Sequence, residues 1–170
     1  MAMAEMLVVA MIAIAAAPSN PLARAEAGEL QCYRPDVAKR TCQSIASYDR
    51  TGPGTYDNKA LVALSNEATL ETHTPVVLRG DAVCGYIRAQ DILAGTARSR
   101  GSALAPDVAK GVLEKLAQTV APFAGKEICT RYVPSSAALV AKVSIAGSYR
   151  PDQDIKVKWI GASDGYSVTP

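Results

Sequence analysis

The chain contains one histidine, one tryptophan and one phenylalanine in 170 residues, and that scarcity removes whole classes of function before any motif is sought. Proteins that grip single-stranded nucleic acid stack bases on aromatic platforms, and few are on offer here. Charge points the same way, because the formal balance is only +2 and no block of like charges exists. The nearest approaches, Arg98-Ser99-Arg100 and Lys156-Val157-Lys158, read as solvated surface rather than a phosphate track. No nucleic acid is expected among the partners.

Metal and cofactor chemistry is equally poorly supplied. No C-x-x-C or C-x-x-H pair accompanies the lone His73, so neither a zinc site nor a redox dithiol is indicated. A Walker A loop, a dinucleotide fingerprint and the H-E-x-x-H helix are all missing, and no cofactor is expected.

Long apolar runs are rare too: one stands out, Met6 to Ala17, with no polar residue in it. It falls short of the ~20 residues that cross a bilayer. Pro18 and Pro21 stop any helix extending from it, and Ala23-Arg24-Ala25 then gives an A-x-A cleavage pattern. The expectation is a signal peptide over residues 1–25 and a single domain over 26–170, without a transmembrane span and located in the periplasm or outside the cell. One feature departs from this pattern, since Met1 to Met6 carries Glu5 and no Lys or Arg. The competing reading is a buried apolar helix opening a cytosolic domain.

Four cysteines lie beyond that boundary: Cys32, Cys42, Cys84 and Cys129. An even number in an exported chain reads as two disulfides. Of the three connectivities, Cys32 with Cys42 and Cys84 with Cys129 is preferred. Pro35-Asp36 favours a turn between the first two, and the second two sit in strand-like segments flanking the best helix.

That helix spans about 106–121. Val108, Val112, Leu113, Leu116, Val120 and Phe123 recur at helical spacing, with Pro106 and Asp107 at the start and Pro122 and Gly125 at the stop. Strands are expected at Ala60 to Ser65, Thr69 to His73, Pro75 to Arg79, Ala82 to Arg88, Glu127 to Val133, Leu139 to Ala146, Ile155 to Ile160 and Tyr166 to Thr169, with a break or edge at Pro75. Asp49 to Gly54 reads as a loop, Arg79-Gly80-Asp81 as a hairpin turn, and Ala89 to Gly101 as irregular chain. The fold class expected is α+β: a mainly antiparallel sheet with the one amphipathic helix packed on it, stapled by two disulfides.

Candidate sites are weak. Gly161-Ala162-Ser163-Asp164-Gly165 satisfies the G-x-S-x-G pattern of serine hydrolases, yet only five residues follow it, too few for the helix, acid and histidine that such an elbow needs. Ser163 and Asp164 therefore read as a turn. His73 is the default general base of any enzyme here, and Glu71 shares its face of a strand, which reads as an exposed pair. The resulting expectation is a non-catalytic binding domain for a protein or an envelope component. Two alternatives stay open: a secreted inhibitor presenting the Cys32–Cys42 loop or the Asp49 to Tyr56 loop, and a small hydrolase using His73.

Overall fold

The computed structural model describes residues 20–136 and 138–170. The apolar run and most of the expected signal peptide lie outside these residues. The first half of the chain forms α1 (Ala23–Glu26), β1 (Leu30–Tyr33), β2 (Thr41–Cys42), β3 (Ser44–Gly52), β4 (Thr55–Ala63), β5 (Ala68–Arg79) and β6 (Ala82–Tyr86). The second half forms α2 (Ala89–Leu93), β7 (Thr96–Ser99), β8 (Ser102–Ala103), α3 (Pro106–Val120), β9 (Glu127–Ser135), β10 (Ala138–Ile145), β11 (Ser148–Tyr149), β12 (Ile155–Ile160) and β13 (Ser167–Val168).

Eight of these strands close on themselves. In the order β1, β3, β4, β5, β6, β9, β10, β12, each pairs antiparallel with the next, and β12 returns to β1 with Leu30 opposite Ile160 and Tyr33 opposite Val157. The architecture is an up-and-down β-barrel with extra strands, not the expected α+β sheet with a helix on it. A size argument explains the difference. Eight strands at about 4.8 Å spacing make a face about 38 Å wide, which one helix about 10 Å across cannot cover. Rolling the sheet into a barrel buries that face against itself and gives every strand of the ring a neighbour on both sides.

Alternation along the strands assigns the two faces. Ala46, Tyr56, Val83, Ala141 and Val157 are buried inside, while Lys59, Glu71 and His73 lie on the outer surface. A lipid-embedded barrel carries an apolar outer band, whereas Lys59 and Glu71 place charge on this outer wall. Among the described residues no helix is long and apolar enough to cross a membrane.

One end of the barrel is plugged by the segment ahead of β1. Leu22 is 0% exposed and, with Ala25, packs against Ala46, Tyr48, Tyr56 and Val83. A four-residue helix has no stability of its own, so α1 is held by its contacts. Tyr56 donates its hydroxyl proton to Glu26 at 2.7 Å, and the Leu22 N–H donates to the Asn20 side-chain oxygen at 2.9 Å. The Ala23-Arg24-Ala25 pattern is thus part of this plug.

At the opposite end the β4–β5 hairpin extends past the ring, and β7, β8, α2 and α3 gather there around Leu70, Ala97 and Leu113. Helix α3 matches the expected span closely. Its covered face is narrower than the periodicity implied, with Leu113 and Ala117 buried but Val108 55% exposed. Three further expectations are corrected. Ala89 to Gly101 contains α2 and β7, Asp49 to Tyr56 is the β3–β4 hairpin rather than a loop, and β5 runs unbroken through Pro75. Pro75 is tolerated because β7 pairs β5 only up to Glu71 and β6 only from Val76, so one edge is unpaired there among the described residues.

Both disulfides have the preferred pairing, Cys32 with Cys42 and Cys84 with Cys129. Cys84 and Cys129 are directly opposed on β6 and β9. Cys32 belongs to a small cluster with Cys42 and Ile160.

Candidate functional site: the barrel cavity

The short β6 leaves the ring after Tyr86, and the plug fills only one end of the barrel. Between them lies a cavity of about 200 Å³, walled by Val76, Val83, Ile87 and Ile128 and edged by Asn58 and Thr74. Three tyrosines, Tyr33, Tyr48 and Tyr132, border it from β1, β3 and β9. None of the described residues lining this space carries a charge.

The three hydroxyls meet at one atom. Tyr33, Tyr48 and Tyr132 lie 2.7, 2.9 and 3.0 Å from Gln31 Oε1, each placed to donate its proton. The Tyr33 and Tyr132 hydroxyls are also 2.7 Å apart, and those of Tyr48 and Tyr132 are 3.2 Å apart. Gln31 is 0% exposed, and its Nε2 finds no hydrogen-bond partner among the described residues. A carbonyl oxygen has two lone pairs, so three phenols oversubscribe it and the cluster holds one proton more than its central acceptor can take.

Electrostatics keep these phenols neutral. Burial pushes Tyr33 and Tyr48 well above the ordinary tyrosine value, with their proximity to Tyr132 adding to the effect. Burial raises Tyr132 as well, opposed by its hydrogen bonds with Tyr33, Tyr48 and Gln31. A hydroxyl held neutral in this way keeps its proton and can donate a hydrogen bond at physiological pH.

A second space of about 200 Å³ adjoins the first, sharing Thr74, Tyr86 and Ile87 and continuing to Thr72, Asp91, Ile92 and Val120. It lies where β5 has its unpaired edge, so the wall is interrupted between β5 and α2. Arg88 braces that margin through its ion pair with Asp91, at 2.8 Å.

The residues singled out from sequence lie elsewhere. His73 is on the outer wall, its Nδ1 2.6 Å from Asp57 Oδ2 and its Nε2 3.9 Å from Glu71 Oε1. The three groups meet as an exposed pair-and-neighbour on β4 and β5, outside the cavity described above. Ser163 and Asp164 occupy an exposed turn, where the Gly161 N–H donates to Asp164 Oδ2 at 2.8 Å and Gly165 has φ +72°. The structure does not bring His73 and Ser163 together as a site. The Cys32–Cys42 loop is closed by an isolated bridge between Asp36 and Thr41 and presents Val37 to solvent.

Gln31, Tyr33, Tyr48 and Tyr132 were not legible as a group in the sequence. The available signal was the Gln31–Tyr33 spacing, which puts two polar-tipped residues on one face of a strand whose other face carries a cysteine. No protein-family model matches the chain, and no match is found among curated proteins or solved structures.

Proposed function

We propose that the protein is an exported, non-catalytic binding domain whose barrel holds one small, largely apolar molecule. The observation that carries this reading is the cavity of about 200 Å³ inside a closed ring of strands. Eight-stranded barrels are just wide enough to be filled by their own side chains or to hold one small ligand. Here Leu22 and Ala25 fill one end, and the other keeps its space. A dry cavity of roughly 150 Å³ admits benzene, so this one suits a molecule of about one ring.

Export is supported by the two disulfides, which fit an oxidising compartment such as the periplasm or the extracellular space. The apolar run ahead of the described residues serves as its signal. A processing point before Asn20, rather than after Ala25, is favoured by the enclosure of Leu22 in the barrel.

Methyl-resolved NMR with toluene as probe tests the reading. Shifts concentrated at Val76, Val83, Ile87 and Ile128 are expected. Silence at those methyls in toluene-saturated buffer would overturn it.

A further inference from the structure

An apolar ligand would need only the walls, yet the cavity has a polar floor. The one proton that Gln31 Oε1 cannot accept has two destinations: a neighbouring hydroxyl, or an acceptor supplied from within the cavity. The 2.7 Å Tyr33–Tyr132 contact offers the first, and an acceptor oxygen reaching these phenols from the cavity competes for the same proton. Gln31 Nε2, on a side chain with no exposure, also finds no hydrogen-bond partner among the described residues.

The sign of charge follows from the lining. Arginine, lysine and histidine are missing among the described lining residues, and a carboxylate moved into such surroundings loses its hydration without gaining a counter-ion. A cation fares no better, because no aspartate or glutamate is among them.

Resting on the binding reading above, we infer that the occupant is a neutral, ring-sized molecule with one acceptor oxygen, a carbonyl or hydroxyl, that takes a proton from the tyrosine cluster. It passes into the barrel between β5 and α2, beside Tyr86, which borders both spaces. Tyr132 fixes its orientation: its hydroxyl contacts Gln31, Tyr33 and Tyr48 at once, so it can turn outward while the other two continue to saturate the amide oxygen.

Three probes of similar size separate the terms: acetophenone, ethylbenzene and benzoate, each titrated calorimetrically and by NMR against the folded, oxidised protein. Acetophenone is expected to bind about three- to tenfold more tightly than ethylbenzene, the worth of one neutral hydrogen bond. Benzoate is expected not to enter. Tyr132→Phe should bring the acetophenone-to-ethylbenzene ratio close to one. Thr130 lines the cavity from β9, and Thr130→Met, which fills the space, should weaken both neutral probes, with circular dichroism verifying the fold of each variant. Equal binding of both neutral probes in the wild type, or an unchanged ratio in Tyr132→Phe, overturns the inference about the oxygen and leaves the binding barrel standing. Benzoate binding at the cavity methyls overturns the inference about charge. Failure of all three probes to perturb the cavity overturns both readings.

Discussion

The barrel and the helical annex beyond its rim are built on opposite terms. The annex rests on α3, the strongest periodic signal in the chain, yet only Leu113 and Ala117 of that helix are buried and its partner cluster is small. The barrel has fainter signals, because its inner face mixes valine and alanine with tyrosine, glutamine and asparagine, but it holds the larger core and the cavity. The strength of a hydrophobic pattern reports how one element meets its neighbours. It says little about where the chain concentrates its stability or its chemistry.

This contrast can be attacked at several points, in falling order of effect. A chain ending after Asp154 lacks β12 and loses the pairing with both β1 and β10; it is expected to show no cooperative melting, whereas a cooperative transition would mean the annex holds the fold. Reduction of the disulfides comes next. In the chain-entropy model the Cys84–Cys129 link is worth about 4 kcal/mol and the Cys32–Cys42 link about 3 kcal/mol. Chemical denaturation of Cys84→Ser/Cys129→Ser against Cys32→Ser/Cys42→Ser should therefore rank the barrel staple first.

Leu22→Ala and Leu113→Ala compare the two cores by the same truncation. The fully enclosed Leu22 should cost about 3–4 kcal/mol, and Leu113, in a cluster with room to collapse, about 2 kcal/mol. Equal losses would erase the distinction drawn here.

Alkaline pH probes the cavity cluster, and a variant of the cluster separates it from Tyr56 and Tyr149, which are also raised. Tyr33, Tyr48 and Tyr132 have folded-state values raised above the unfolded value of about 10, so the folded state favours the protonated form. Their contribution is complete below pH 10 and is lost as pH climbs through the raised folded values. The melting temperature should therefore fall more steeply above pH 10 in the wild type than in a Tyr33→Phe/Tyr48→Phe variant. The smallest effect belongs to the annex: Val108→Asp on the exposed side of α3 should change stability by less than about 0.5 kcal/mol.

Much of the strand content was legible. β9, β10 and β12 fall where alternation and β-branched residues indicated, and both cysteine pairings follow from local context. Closure was not legible, since it depends on Leu30 to Tyr33 meeting Ile160 to Val157, at opposite ends of the chain, and no local pattern encodes such a pairing. The cavity cluster was hidden for the same reason. Gln31 and Tyr132 are 101 positions apart, and tyrosine in a strand ordinarily means packing. His73 and Ser163 attracted notice because their chemistry is recognisable one residue at a time. Gln31 acquires meaning only when three hydroxyls from three strands surround it.

The seam between β1 and β12 also bears on how the protein is made. Strand β1 is synthesised early and waits for a mate, β12, that follows every other strand of the ring. Until then the ring stands open between β1 and β10, the two neighbours that β12 joins. The barrel locks only once β12 has been made, so the order of synthesis sets ring closure as a late event.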